Sequence, residues 1–228
     1  MIKGVVFDLD HTLYDRDASS RAAMSRFFDE HPEYIVPGVS REQACEAIVA
    51  AEHKYIYGGW KALDERLREQ GVLRGDFTTW FLCDYFQTQY AAHMGRYPFV
   101  HALFDRLRAM GLKVALITNG NERHQTGKVN ALDEAFDEII IGSDPATRKP
   151  HPDLFLEMAR RLGCEPGELI YAGDNPVNDV DASRRAGYVA VWVRTITPWL
   201  FPEIPEPEYQ VDTVAGIPDL VETLNARA

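Results

Sequence analysis

Cysteine is scarce in this chain of 228 residues, with three in all. Cys45, Cys83 and Cys164 are far apart and odd in number. Neither a disulfide framework nor a cysteine metal cluster is predicted, and a reducing compartment is the simplest setting. No apolar run approaches the roughly 18 residues that a membrane span needs. The first apolar run, Val5-Val6-Phe7, stops at Asp8 and is too short for a signal peptide. A cytoplasmic protein without membrane partners is expected. Positive charge is also in deficit: 24 Lys and Arg against 35 Asp and Glu leave a formal net charge of -11. That balance disfavours general binding of nucleic acid or of an anionic membrane surface. Internal repeats and low-complexity tracts are absent. No G-x-G-x-x-G follows the first apolar run, which leaves dinucleotide binding unsupported.

What is present reads as a globular protein. The chain is 46% hydrophobic and 26% charged, values that exclude disordered, collagen-like and coiled-coil classes. Its length suits one large domain, or one domain with an insertion. Short apolar, β-branched runs at 2–7, 112–117, 138–141, 168–172 and 188–193 predict buried strands. Helical patterns lie between them. Val100, Leu103, Phe104, Leu107 and Met110 form one stripe, and Leu154, Met158 and Leu162 form another that follows Pro152. Apolar strands alternating with amphipathic helices predict an α/β fold, a Rossmann-like parallel sheet covered on both faces. Residues 15–97 break the rhythm and show no convincing strand. Trp60, Leu63 and Leu67 suggest a helix, and 77–93 is helical in length but aromatic on every side. The expected organisation is therefore a core of 1–14 and 98–228 interrupted by a helical domain at 15–97. A short strand near Tyr209–Val211 and a closing helix near 216–226 are predicted.

Polar residues cluster just after four of the predicted strands, where open α/β sheets form their ligand crevice. Asp8 and Asp10 are two apart on an extended segment and share one side. Two carboxylates so close raise the pKa of one unless a cation lies between them, and oxygen ligands of this kind suit Mg²⁺. Thr118-Asn119-Gly120 offers a hydroxyl, an amide and a permissive glycine, the elements of an anion cradle. Lys149, beside Pro150, precedes a helix and can face a phosphate or a carboxylate. Gly173-Asp174-Asn175-Pro176-Val177-Asn178-Asp179 places Asp174 at the strand end and Asp179 in the next helix's first turn. Each cluster alone has a plainer explanation: a solvated acidic strand end, an ordinary turn, a surface lysine, a helix N-terminal charge.

Together, D-x-D-x-T, T-N-G, K-P and G-D-x-x-x-N-D, in this order, resemble the haloacid dehalogenase (HAD) superfamily. The resemblance covers 1–14 and about 98–195, and the insertion at 15–97 stands where the helical-cap subgroup carries its cap. It implies a phosphomonoesterase. Asp8 would be the nucleophile that forms an aspartyl-phosphate. Asp10 would be the acid for the leaving oxygen and then the base for water. Thr118 and Lys149, assisted by the Asn119 N–H and the Gly120 turn, would bind phosphate. Mg²⁺ would be held by Asp8, Asp174 and the Asp10 backbone carbonyl. Asp179, Asn178 and Thr12 would support these groups. A small phosphorylated metabolite is the implied substrate.

A 2-haloacid dehalogenase of the same superfamily is the nearest rival. That reaction needs the nucleophile but neither Mg²⁺ nor the second aspartate, so Asp10, Asp174 and Asp179 favour the phosphatase. A phosphonate-cleaving relative would need a cap lysine, for which Lys54 and Lys61 are candidates; a mutase is a further option. A non-catalytic phosphate-binding regulator would typically have lost Asp8 or Asp10. A receiver module accepts phosphate after a middle strand, the wrong order here. Tyr14, Tyr57, Trp60 and Lys61 are candidate contacts to the leaving group, beside His11, with Gly58-Gly59 as a bend. Cap core or plain surface is the simpler reading for these aromatics.

Overall fold

The structure is a computed structural model that describes residues 1–54 and 59–227. In chain order the elements are β1 (Gly4–Phe7), β2 (Tyr14–Asp15), α1 (Arg16–Glu30), α2 (Arg41–Lys54), α3 (Gly59–Glu69), α4 (Thr79–Ala92) and β3 (Gly95–Arg96). There follow α5 (Val100–Ala109), β4 (Lys113–Asn119), α6 (Glu122–Leu132), β5 (Glu138–Gly142), α7 (Asp153–Leu162), β6 (Leu169–Gly173), α8 (Ala182–Arg185), β7 (Val189–Val193), β8 (Tyr209–Val211) and α9 (Ile217–Ala226). The chain divides into two compact units, Met1–Tyr14 with Arg96–Ala228, and Asp15–Gly95.

The first unit is built on a six-stranded sheet of order β5-β4-β1-β6-β7-β8. Every pairing is parallel. The fold is thus the α/β, Rossmann-like class that the strand runs predict. β1 lies between β4 and β6, with Phe7 level with Leu116 on one side and Ala172 on the other. The chain builds outward from β1 to β4 and β5, then returns to its other side for β6, β7 and β8. The order therefore reverses at β1, and the crevice at such a switch point opens beyond the strands' carboxyl ends. All four residues of β1 are buried, because both faces of a parallel sheet are covered. The α5 stripe buries Val100, Leu103, Phe104 and Leu107. Each such side chain contributes about 1.5–3 kcal/mol on burial.

The second unit is helical. Met24, Phe27, Ile48, Leu63, Leu67, Leu82 and Phe86 form its core. In α4 one stripe, Leu82, Phe86 and Tyr90, is buried while Trp80 is exposed, so the aromatic run does have a face. The expectation of no strand in 15–97 needs amendment. Two-residue strands β2 and β3 pair as a ribbon, and Ile35 bridges Leu73. Pieces this short carry no readable alternation. No helix among the described residues is long and apolar enough to cross a membrane.

Candidate active site

Asp8 follows β1 directly and is buried; its backbone N–H donates to Ala172 O at 2.9 Å. Its carboxylate Oδ1 accepts from Lys149 Nζ at 2.7 Å. Lys149 is 3% exposed, so the surface-lysine explanation is excluded. Its ammonium also donates to Asp179 Oδ1 at 2.7 Å, and lies 2.8 Å from the Tyr171 hydroxyl and 3.1 Å from Ile117 O. The Tyr171 hydroxyl lies 3.1 Å from Ile117 O and 3.2 Å from Asp179 Oδ1. Tyr171 carries no signal in the sequence, because it sits in an apolar strand and reads as core.

Asp179 is reached by a tight approach. Its Oδ2 accepts the Asn175 N–H at 3.0 Å. A Cβ on Gly173 would meet the Asp179 carboxyl at 2.5 Å, so only glycine fits that strand end. Asn175 caps the π-helical turn Pro176–Asp181 by accepting from the Val177 and Asn178 N–H groups at 3.0 and 2.9 Å. Such turns often mark functional sites. Asn178 enters through its backbone in this way. Asp174 is fixed by Thr197, whose Oγ1 donates to Oδ2 at 2.6 Å, and by Trp192 Nε1, which donates to the Asp174 carbonyl at 3.1 Å.

Asp8, Asp174 and Asp179 bring carboxylate oxygens within 4.8 Å of one another, all three buried. Burial pushes the Asp8 pKa up to about 7; Lys149 opposes this, while Asp179 and Asp10 add to it. Burial likewise holds Asp174 well above the carboxylate range, with Asp179 and Asp8 contributing. Burial works against the Lys149 ammonium, but Asp179 and Asp8 outweigh it and raise its pKa. One ammonium is too little charge for this group of carboxylates. A buried, all-oxygen donor set with uncompensated negative charge fits a hard divalent cation.

Asp10 has different company. Its Oδ1 accepts from Lys128 Nζ at 2.9 Å and from the Tyr14 hydroxyl, and its Oδ2 accepts from Gln125 Nε2 at 3.1 Å. Its carboxylate is thus held by donors other than Lys149. Gln125 also donates to Thr118 Oγ1 at 2.6 Å. Thr12 Oγ1 lies 3.5 Å from Asp8 Oδ2, at the limit of a hydrogen bond. Asn119 acts through its side chain as a clamp: Nδ2 donates to Lys149 O at 2.8 Å and Oδ1 accepts the Lys149 N–H at 3.0 Å.

Gly120 departs from expectation. Its N–H donates to Gly142 O at 3.1 Å, so it is not an open donor for an anion. Its part is room: at φ 147° a Cβ would meet Gln125 Cγ at 2.9 Å. The remaining candidates divide. Tyr14 is fully buried against Asp10. His11 is buried at φ 60°. Trp60 packs on Phe86 and Tyr90, with ring centroids 5.9 and 6.3 Å apart, as part of the helical unit's own core. The Lys61 side chain is 82% exposed beside Glu65. Tyr57 and Gly58 lie outside the described residues; Gly59 opens α3.

Fold and site together define an α/β protein that gathers aspartates at the ends of parallel strands. The chain belongs to the haloacid dehalogenase-like hydrolase family, which it matches over residues 2–187. It is 30% identical over 198 residues to a glyceraldehyde 3-phosphate phosphatase of Methanopyrus kandleri, covering 85% of this chain and 84% of that one. It is 27% identical over 252 residues to the N-acylneuraminate-9-phosphatase of Rattus norvegicus, covering 99% and 96%. Among solved structures, a HAD-hydrolase of Bacillus subtilis bound to magnesium shares the fold at TM-score 0.77 and 18% identity, over 96% of this chain and 98% of that chain.

Proposed function

We propose that the protein is a Mg²⁺-dependent phosphomonoesterase acting on a small phosphorylated metabolite. The observation that carries this reading is the split between two neighbouring carboxylates. Asp8 faces Lys149 within an acidic group, while Asp10 faces donors of its own. A cation beside Asp8, Asp174 and Asp179 would keep Asp8 ionised for attack, while Asp10, held by other partners, would be left for proton transfer. The phosphatase names of the sequence relatives support the same reaction.

In this mechanism Asp8 Oδ attacks phosphorus and the leaving oxygen departs with a proton from Asp10. Asp10 then takes a proton from the water that hydrolyses the aspartyl-phosphate, which restores both carboxyl groups. Lys149 and the Thr118 hydroxyl, with the Asn119 N–H, bind the phosphoryl oxygens. Asp179 and Tyr171 hold the Lys149 ammonium, and the Asn119 amide holds its backbone. A divalent cation held by Asp8, Asp174 and the Asp10 carbonyl would neutralise charge on the transferring group. Asp15–Gly95 corresponds in chain order to the cap and selects the leaving group.

Asp8→Asn should lower turnover of para-nitrophenyl phosphate by about 10³-fold or more with the thermal midpoint retained, and chelation should stop the wild type. Wild-type turnover by Asp8→Asn would refute the mechanism. Undiminished dehalogenation of a 2-haloacid in chelator would instead identify a dehalogenase.

A further inference from the structure

Helix α6 carries two residues that the reaction as described leaves without a task. Gln125 and Lys128 are three apart, so they share one side of the helix. Lys128 is 1% exposed and Gln125 2%. A buried lysine is costly unless it is paired, and an apolar side chain of similar length would fill the same space. Here the Lys128 ammonium is 2.9 Å from Asp10 Oδ1, and Gln125 Nε2 is 3.1 Å from Asp10 Oδ2. Each carboxylate oxygen is thus tied to a separate donor on one rigid element. The Tyr14 hydroxyl adds a further tie to Oδ1.

We propose that Lys128, with Gln125, is a positioning residue for Asp10. The proposal rests on the phosphatase reading, in which Asp10 protonates the leaving oxygen. Two donors on opposite oxygens stop the carboxylate from rotating about its last torsion. Proton transfer needs heavy atoms within about 2.6–3.2 Å, so a free rotor at this position would lose reach. The consequence depends on the leaving group. kcat/KM covers the steps up to leaving-group departure, in which a phenolate needs Asp10's proton and a nitrophenolate hardly does. A structural defect would lower both substrates alike.

The test compares para-nitrophenyl phosphate with phenyl phosphate in the wild type, Lys128→Met, Lys128→Arg and Gln125→Met. Lys128→Met should lower kcat/KM for phenyl phosphate by about 30-fold or more, against about 3-fold or less for para-nitrophenyl phosphate. Lys128→Arg should restore most of the phenyl phosphate rate. Gln125 also contacts Thr118, so Gln125→Met should add an equal loss on both substrates to a leaving-group-dependent one. Equal losses on the two substrates in both Met variants, or no loss on phenyl phosphate, would overturn the proposal. A wild type that hydrolyses neither ester would overturn the phosphatase reading, and this assignment with it.

Discussion

Asp8 and Asp10 are two residues apart, yet their surroundings separate them. Asp8 lies among carboxylates with a single ammonium, and burial lifts its pKa to about 7. Asp10 lies among donors from Tyr14, Gln125 and Lys128. The separation depends on where Lys149 is held, and that depends on Asp179. Gly173 decides whether Asp179 can be there. A Cβ at Gly173 would lie 2.5 Å from the Asp179 carboxyl, a distance that real contacts do not reach. Gly173 is not among the residues with positive φ, so the conflict is purely one of space. Gly173→Ala should destabilise the fold by about 1–3 kcal/mol and lower activity more than that loss explains, because Lys149 shifts with Asp179. Denaturant unfolding with kcat/KM on the same samples checks this. An alanine variant with wild-type kinetics would show that Asp179 has freedom to move.

Helices α1, α2 and α4 meet around a buried polar group. Arg16 Nη2 is 2.8 Å and the Tyr90 hydroxyl 2.7 Å from Glu52 Oε1, and Ser20 donates to Glu52 Oε2. Burial opposes the Glu52 charge, but Arg16, Ser20 and Tyr90 outweigh it and hold its pKa below the ordinary 4.5. A depressed carboxylate pKa contributes stability above the unfolded value, and that contribution is lost as pH falls through the folded one. The thermal midpoint should therefore drop as pH falls from about 4.5. Glu52→Gln should lower stability at pH 7 by roughly 1–3 kcal/mol and flatten that acid limb. An unchanged acid limb in Glu52→Gln would assign the pH dependence to other carboxylates.

The same helices show why sequence pattern reveals some elements and hides others. Strands β1, β4, β6 and β7 are apolar runs, so composition alone revealed them, and the polar residues that follow them marked the crevice. Helix α1 buries Ser19, Ser20 and Ala23 beside Met24 and Phe27, a mixture that hides its stripe. Helix α6 shows no apolar stripe in the sequence, since its buried side holds His124, Gln125 and Lys128 beside Val129 and Leu132. Hydrophobic periodicity fails where a helix turns a polar side inward. Gln125 and Lys128 are hidden for the same reason. Their contacts with Asp10 join positions more than a hundred residues apart in the chain, which no local pattern encodes.

Charge connects the site to the molecule as a whole. The net charge is -11, and the segment 196–228 holds five of those negative charges, so nearly half lies outside the four strand-end clusters. Within them, Asp8, Asp10, Asp174 and Asp179 face Lys128 and Lys149. Asp8, Asp174 and Asp179 share the single Lys149 ammonium, and a divalent cation among them would supply the charge that keeps all three ionised. Unfolding would scatter these ligands along the chain, so a bound ion favours the folded state. Mg²⁺ at about 100 times its Kd should add about 2.7 kcal/mol, which at about 2–4 °C per kcal/mol raises the thermal midpoint by roughly 5–10 °C. Asp174→Asn should lose most of that rise. Without metal, however, it should be no less stable than the wild type, since it removes a carboxylate already held well above its usual range by burial and its neighbours. Sodium chloride at matched ionic strength separates site binding from general screening of the net charge. If sodium chloride reproduced the rise, or Asp174→Asn kept it, the ion would be acting on the molecule's overall charge and not at this site.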